Sequence, residues 1–415
     1  MRDLLAEETA ARAELRQRIL STFRSYGYAQ VTTPAFELAE VIERGLLMAD
    51  RRDVLRFVEP ESGEVALLRP DITPQVARIV ATTLRDMPGP HRISYEGSIF
   101  RRRRGRARTQ LQIQQAGVEL IHEPGPAADA EVIELAMEAC RAVGLSGIKL
   151  ELAHVGIGRA ALEPVPESAR ATVMECVARK DGAALEEALK AAGVKAGDRK
   201  TLSSLLELYG DPSVVKRARR TLRAEAMQEA LDALEAVLDR LVDAGLGPHL
   251  AVDLGELRGQ AYYTGVSFAL WADGPGEALG AGGRYDNLLE RFGGEGPATG
   301  FALNLENLEW ALRAQGRAIA LDARPRVVLL GDDRNAARAL RAAGAETVEL
   351  RGRSKAQALA FAKAWGFDLV VQSGKNASAT RAADAATQPL DLFDETELAR
   401  RFAWARSTEA RTEVM

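Results

Sequence analysis

The 415-residue sequence predicts an α+β protein with a helical insertion and a small C-terminal α/β domain. Three observations carry that expectation. Strand-like and helix-like segments mix in residues 1–160 and again from 249 to 322. Between about 160 and 245, Ala, Leu, Glu, Lys and Arg dominate at helical spacing with few β-branched residues. After Pro325, short apolar runs alternate with helical ones over roughly 75 residues, the pattern of a small α/β unit. A chain of this length exceeds what one core serves, so two or three domains are expected. The boundaries are placed at 1–322 and 324–403, with 404–415 as a tail.

Residues 8–26 carry Leu15, Ile19, Leu20 and Phe23 at helical spacing and predict an amphipathic helix. YAQVTTPAFEL follows as an extended segment, with Pro34 marking a strand edge or end. VLRFVEPESGEVALL, 54–68, reads as a hairpin turning at Pro60 to Gly63. In LRPDITPQVARI, Thr73 followed by Pro74 predicts an N-cap and first helical residue, which puts Asp71 on the loop just ahead. Residues 92–100 and 109–121 read as two strands, a helix fits 129–143 and a strand 148–154. Strand signals return in HLAVDLGELRGQAYYTGVSFALWADG, and LNLENLEWALRAQ reads as a helix. RVVLLGDD, AETVEL and DLVVQSG are the strands of the last unit, and NAARALRAAG and SKAQALAFAKAWG its helices.

Composition narrows the function classes. With 55 Lys+Arg against 59 Asp+Glu the chain as a whole is no polycation, so six arginines within residues 101–108 are a local feature. No apolar run is long enough for a membrane span, and the charged N-terminus lacks a signal-peptide core. The two cysteines and four histidines have no ligand spacing, so no metal site is expected, and the compartment is read as cytoplasmic. GGEGPATG is neither a dinucleotide fingerprint nor a P-loop and suits a turn between helix and strand; SGKNAS reads as a loop.

Alternation in TQLQIQQAGVEL puts Leu111, Ile113, Gln115, Gly117 and Glu119 on one inward face. Buried polar groups there must pair with protein or line a polar pocket. The same alternation puts Tyr262 and Tyr263 on opposite faces of a YYTGVSF strand preceded by Arg258. An acid (Asp71 or Glu119), amides, tyrosine hydroxyls and Arg258 would together suit a zwitterion, the acid holding an ammonium and the guanidinium a carboxylate.

In order, these pieces resemble a family. TPAFEL, FRRRRGRARTQLQIQQAGVEL and ATGFALNLENL are similar to the three signature motifs of class II aminoacyl-tRNA synthetases. RPDITP, QQAGVE, RGQAYYTGVSF and AGGRYDNLLERFG resemble the histidyl branch. The resemblance implies an antiparallel sheet flanked by helices over residues 1–320 and a terminal unit like a reduced anticodon-binding domain. Histidine-contacting positions of that branch fall on Asp71, Ile72, Thr73, Arg101, Gln115, Glu119, Arg258, Tyr262 and Tyr263.

The departures matter as much. Motif 3 in the synthetases follows G-F-A-x-G-x-E-R, its arginine gripping ATP; here it reads G-F-A-L-N-L-E-N, with Asn304 and Asn307 at the glycine and arginine. A neutral amide cannot replace a guanidinium on polyphosphate. Arg103 stands where motif 2 normally carries glutamate, and LRPDITPQVARI is similar to the regulatory subunits of ATP phosphoribosyltransferase rather than to R-P-E-G-T. The resemblance therefore implies a non-catalytic chain without cofactor. It would form self-dimers, assemble with the short catalytic subunit, and bind L-histidine as feedback ligand. Arg102, Arg103, Arg104 and Arg106 would then be free to meet an acidic face of that partner, or form a merely solvated hairpin. An active histidyl-tRNA synthetase and a tRNA-binding paralogue are the alternatives; nucleic acid is disfavoured because the terminal unit has only a small positive excess.

Overall fold

A computed structural model describes residues 3–45, 54–101, 112–257, 262–319 and 324–406. Arg258, Arg102, Arg103, Arg104 and Arg106 lie outside these residues, as does Leu111. The chain divides into two compact units, Met1–Ala320 and Leu321–Met415.

The larger unit is built on a nine-stranded sheet among the described residues. Its centre is antiparallel, in the order His91–Phe100, Gln112–Ile121, Ala298–Asn304, Gly280–Arg284, Val266–Trp271 and Lys149–His154. Ala29–Val31 adds in parallel at one side; Leu250–Asp253 and then Tyr209–Gly210 add at the other. One face packs on the helices Ala6–Ser25, Pro126–Ala142, Glu225–Asp243 and Leu305–Ala314 through a continuous aliphatic core. The other face packs on Thr73–Ala81 through a smaller cluster that includes Ile72, Val76, Tyr95, Tyr262, Tyr263 and Tyr285. A sheet covered on both faces explains why Ala116 to Ile121 are all buried rather than alternating.

The segment read as helical holds six helices from Val155–Leu162 to Glu225–Asp243. The 54–68 hairpin forms from Arg56–Val58 and Val65–Leu68, and Phe36–Leu38 completes a separate three-stranded sheet.

In the smaller unit the strands run Glu346–Leu350, Arg326–Leu330, Leu369–Gln372, Ser378–Arg381, Thr387–Pro389, the first three parallel and the last two antiparallel. A capping box at Ser354 and Gln357 starts Lys355–Trp365, and Gly366 at φ +69° ends it. One expectation needs correction here. Trp404, read as the start of a tail, lies in the helix Glu395–Ala405, with Arg381 over its ring at 4.8 Å.

Candidate functional site

A polar cavity of about 330 Å³ opens on the sheet face that carries the smaller cluster. Glu119, on the inner face of the Gln112–Ile121 strand, is fully buried at its floor. Its Oε1 accepts from Thr73 Oγ1 at 2.6 Å and from Tyr95 OH at 3.1 Å, and its Oε2 accepts from Tyr285 OH. Burial pushes this carboxyl up to about 8; the hydroxyl donors pull it back, and neighbouring Asp71 pushes it further up. Burial likewise raises the hydroxyls of Tyr95, Tyr262 and Tyr285, so all three remain donors at neutral pH.

Asp71 stands just before the Thr73–Ala81 helix. Its Oδ1 accepts from Thr73 N at 3.2 Å, and its Oδ2 accepts from Tyr262 OH at 3.0 Å and from Arg101 at 3.3 Å. Arg101 is further anchored by Nε donating to the Pro70 carbonyl.

The glycines of the floor allow this approach. A Cβ on Gly300, which pairs with Glu119 across the ladder, would lie 1.9 Å from Glu119 Oε2. One on Gly117 would lie 2.6 Å from the Tyr95 hydroxyl oxygen.

At the far wall, Asn304 caps the Leu305–Ala314 helix, its side chain accepting from Asn307 N at 3.2 Å. Asn307 is buried and donates Nδ2 to the Ala278 carbonyl at 2.7 Å. Among the described lining residues the carboxylates are Asp71, Glu119 and Glu277, and the single guanidinium is Arg101, which already faces Asp71. In this wall the Asp71 carboxylate is placed to meet a cationic group.

Asp71, Thr73, Arg101, Gln115, Glu119, Tyr262 and Tyr263 all line this one cavity. Ile72 does not; it is fully buried in the apolar cluster. Two local readings need correction. Thr73 does not cap its helix: the N-cap position is Ile72, without a side-chain cap, and the Thr73 hydroxyl goes to Glu119. Tyr262 and Tyr263 do not point to opposite faces. The strand begins only at Val266, and the two rings meet edge to face at 5.2 Å on the same side. Tyr95, Tyr285 and Glu277 are lining or supporting residues that sequence reasoning did not single out. Tyr95 shares the alternate positions of its strand with Ile93, Gly97 and Ile99, a pattern that marks an inward face.

The histidyl-tRNA synthetase family profile matches residues 1–308. The ATP phosphoribosyltransferase regulatory subunit of Anaeromyxobacter sp. (strain Fw109-5) is 42% identical over 329 residues, covering 79% of this chain and 95% of its own. The chain belongs to the family of ATP phosphoribosyltransferase regulatory subunits. The regulatory subunit of Moorella thermoacetica is 37% identical over 374 residues, covering 88% of this chain and 95% of that one. Among solved structures, an ATP phosphoribosyltransferase regulatory subunit/histidyl-tRNA synthetase from Bacillus halodurans superposes with a TM-score of 0.77 at 27% identity, covering 90% of this chain and 96% of that one. In this member of the regulatory-subunit family, the synthetase-like frame keeps an acidic cavity while Asn304 and Asn307 serve the backbone around it.

Proposed function

We propose that this chain is a non-catalytic regulatory subunit that assembles with the short catalytic subunit of ATP phosphoribosyltransferase. It raises that enzyme's activity in the first step of histidine biosynthesis and carries feedback by L-histidine. The observation that carries this reading is the combination of a caged acidic cavity with an amide, Asn307, tied to the Ala278 carbonyl at the position of the phosphate clamp.

In the cavity, Asp71 receives the ligand ammonium, its carboxylate already oriented by Tyr262 and Arg101. Gln115 and Glu119 offer polar contacts to the imidazole, and Arg258 is assigned to the carboxylate. No cofactor is required. Feedback follows only when L-histidine binds the inhibited assembly more tightly than the active one. The arginines at 102, 103, 104 and 106 are assigned to an acidic face of the catalytic subunit, the chain pairing with a second copy of itself in the cytoplasm.

The test is formation of phosphoribosyl-ATP by the short catalytic subunit from the same source, with and without this chain, across an L-histidine titration. A rate that rises with the chain and falls with L-histidine supports the proposal. No effect on either, together with L-histidine-dependent ATP–pyrophosphate exchange by the chain alone, overturns it in favour of a ligase.

A further inference from the structure

Asp71 lies between two side chains that converge on one carbonyl. Arg69, two residues before it, donates Nη1 to the Pro34 carbonyl at 3.2 Å, and Gln75, four residues after it, donates Nε2 to the same oxygen at 3.0 Å. Neither side chain lines the cavity, and both are buried.

Among the described residues the Arg69 guanidinium is held by main-chain oxygens and one hydroxyl. Its Nη1 also donates to the Thr33 carbonyl at 2.8 Å and hydroxyl at 2.7 Å, and its Nε to the Ser98 carbonyl at 2.7 Å. Its backbone is fixed as well, with Arg69 N donating to Ala35 O at 3.0 Å and Phe100 N to Arg69 O at 2.9 Å. Gln75 Oε1 is buried without a partner among the described residues, a cost that makes sense when the amide is kept for its donor to Pro34. The guanidinium directs Nη2 at Gly97, where a Cβ would stand 2.1 Å from that nitrogen. Three separate segments, at 33–35, 97–100 and 69–75, are thereby locked together around the loop that carries Asp71.

We infer that Arg69 is a positioning residue of the cavity: its clamp on the Thr33, Pro34 and Ser98 carbonyls, shared at Pro34 with Gln75, sets where the Asp71 carboxylate meets a ligand cation. This rests on the proposed ligand, L-histidine. Gly97 belongs to the same device, because any side chain there displaces the guanidinium.

The inference is tested on the full chain by calorimetric titration with L-histidine, comparing Arg69→Lys, Gly97→Ala, Asp71→Ala and the two pairs with Asp71→Ala. Gly97→Ala reaches Arg69 from another strand without removing any of its donors, which guards against reading a folding defect of Arg69→Lys as a site effect. Each of Arg69→Lys and Gly97→Ala is expected to weaken binding by roughly tenfold or more while a cooperative melt is retained. In the Asp71→Ala background neither should cost more than about twofold, because coupled residues are non-additive. Full additivity, or unchanged affinity in Gly97→Ala, overturns the inference. If the unaltered chain gives no heat with L-histidine, the ligand assignment fails. The positioning role is then decided by hydrogen exchange at the Thr73 amide, which donates to Asp71. Faster exchange in Gly97→Ala sustains it, and unchanged exchange overturns it.

Discussion

The Thr73 hydroxyl donates to Glu119 Oε1 at 2.6 Å across 46 residues of sequence, although Thr73 opens its own helix. A threonine at such a position ordinarily serves the local backbone. Here a buried carboxyl claims it, because a carboxyl short of one donor in that place would cost more than an uncapped helix. Thr73→Val keeps the shape and removes the donor. It should weaken L-histidine binding by about tenfold, on the order expected when a buried acceptor loses its donor, and lower the melting temperature by a few degrees. Equal calorimetric affinities in the two proteins would refute this.

Glu119 gives stability a pH dependence with a defined sign. Its folded carboxyl is raised from an ordinary 4.5 to about 8, chiefly by burial. Between those values the folded state holds a proton that the unfolded state has released. This contribution to stability is therefore full below about pH 4.5 and lost as pH rises through about 8. His154 acts in the opposite sense: burial, aided by Arg159, lowers it from 6.5 to about 4, so its contribution is lost as pH falls through that window. Glu119→Gln resembles the protonated carboxyl and isolates the first effect. Thermal melts from pH 5 to 9 should show the parent chain losing more stability on the alkaline side than the variant. Parallel curves would refute the assignment.

Gly300 sets the depth at which Glu119 can sit. A Cβ there would be 1.9 Å from Glu119 Oε2 and 2.4 Å from the Val118 carbonyl, so side-chain motion alone cannot make room. Gly300→Ala should abolish measurable L-histidine binding and lower the melting temperature by several degrees, since overpacking costs about 1–3 kcal/mol. Gly316, at φ +65° with nothing near its Cβ position, supplies the contrast. There alanine should lower stability through backbone strain and leave affinity intact.

The parts of this site that were legible in the sequence are those governed by short-range periodicity. Gln115 and Glu119 follow from alternation along one strand, and that strand is regular from Gln112 to Ile121. The same rule fails at Tyr262 and Tyr263 because the chain is not yet a strand there; Thr264 N reaches the Arg284 carbonyl at 2.7 Å and regular pairing starts at Val266. Tyr285 was invisible for another reason. Its role is a hydrogen bond to a residue 166 positions away, which no local pattern encodes. In the smaller unit the strands at Ser378–Arg381 and Thr387–Pro389 are too short and too polar to show a period.

Arg284 and Asp129 form a buried ion pair behind Tyr285, Nε to Oδ2 at 3.0 Å, with each residue less than a tenth exposed. Arg284 also bonds Asp286 at 3.1 Å and the Gly125 carbonyl at 3.1 Å, while its own carbonyl accepts from Thr264 N. The pair thus joins the start of the Pro126–Ala142 helix to the two segments that carry Tyr262, Tyr263 and Tyr285. Removing the cation strands a buried carboxylate whose ionised form burial already disfavours. Arg284→Met should therefore destabilise by roughly 3–5 kcal/mol, read from the urea midpoint. Adding Asp129→Asn to that variant removes the stranded charge and should recover part of the loss, whereas Asp129→Asn alone leaves Arg284 with Asp286 and should cost less than Arg284→Met. If the double variant were less stable than Arg284→Met by the full single-variant cost of Asp129→Asn, the two side chains would be acting independently and the pair would not be what holds Tyr285 over Glu119.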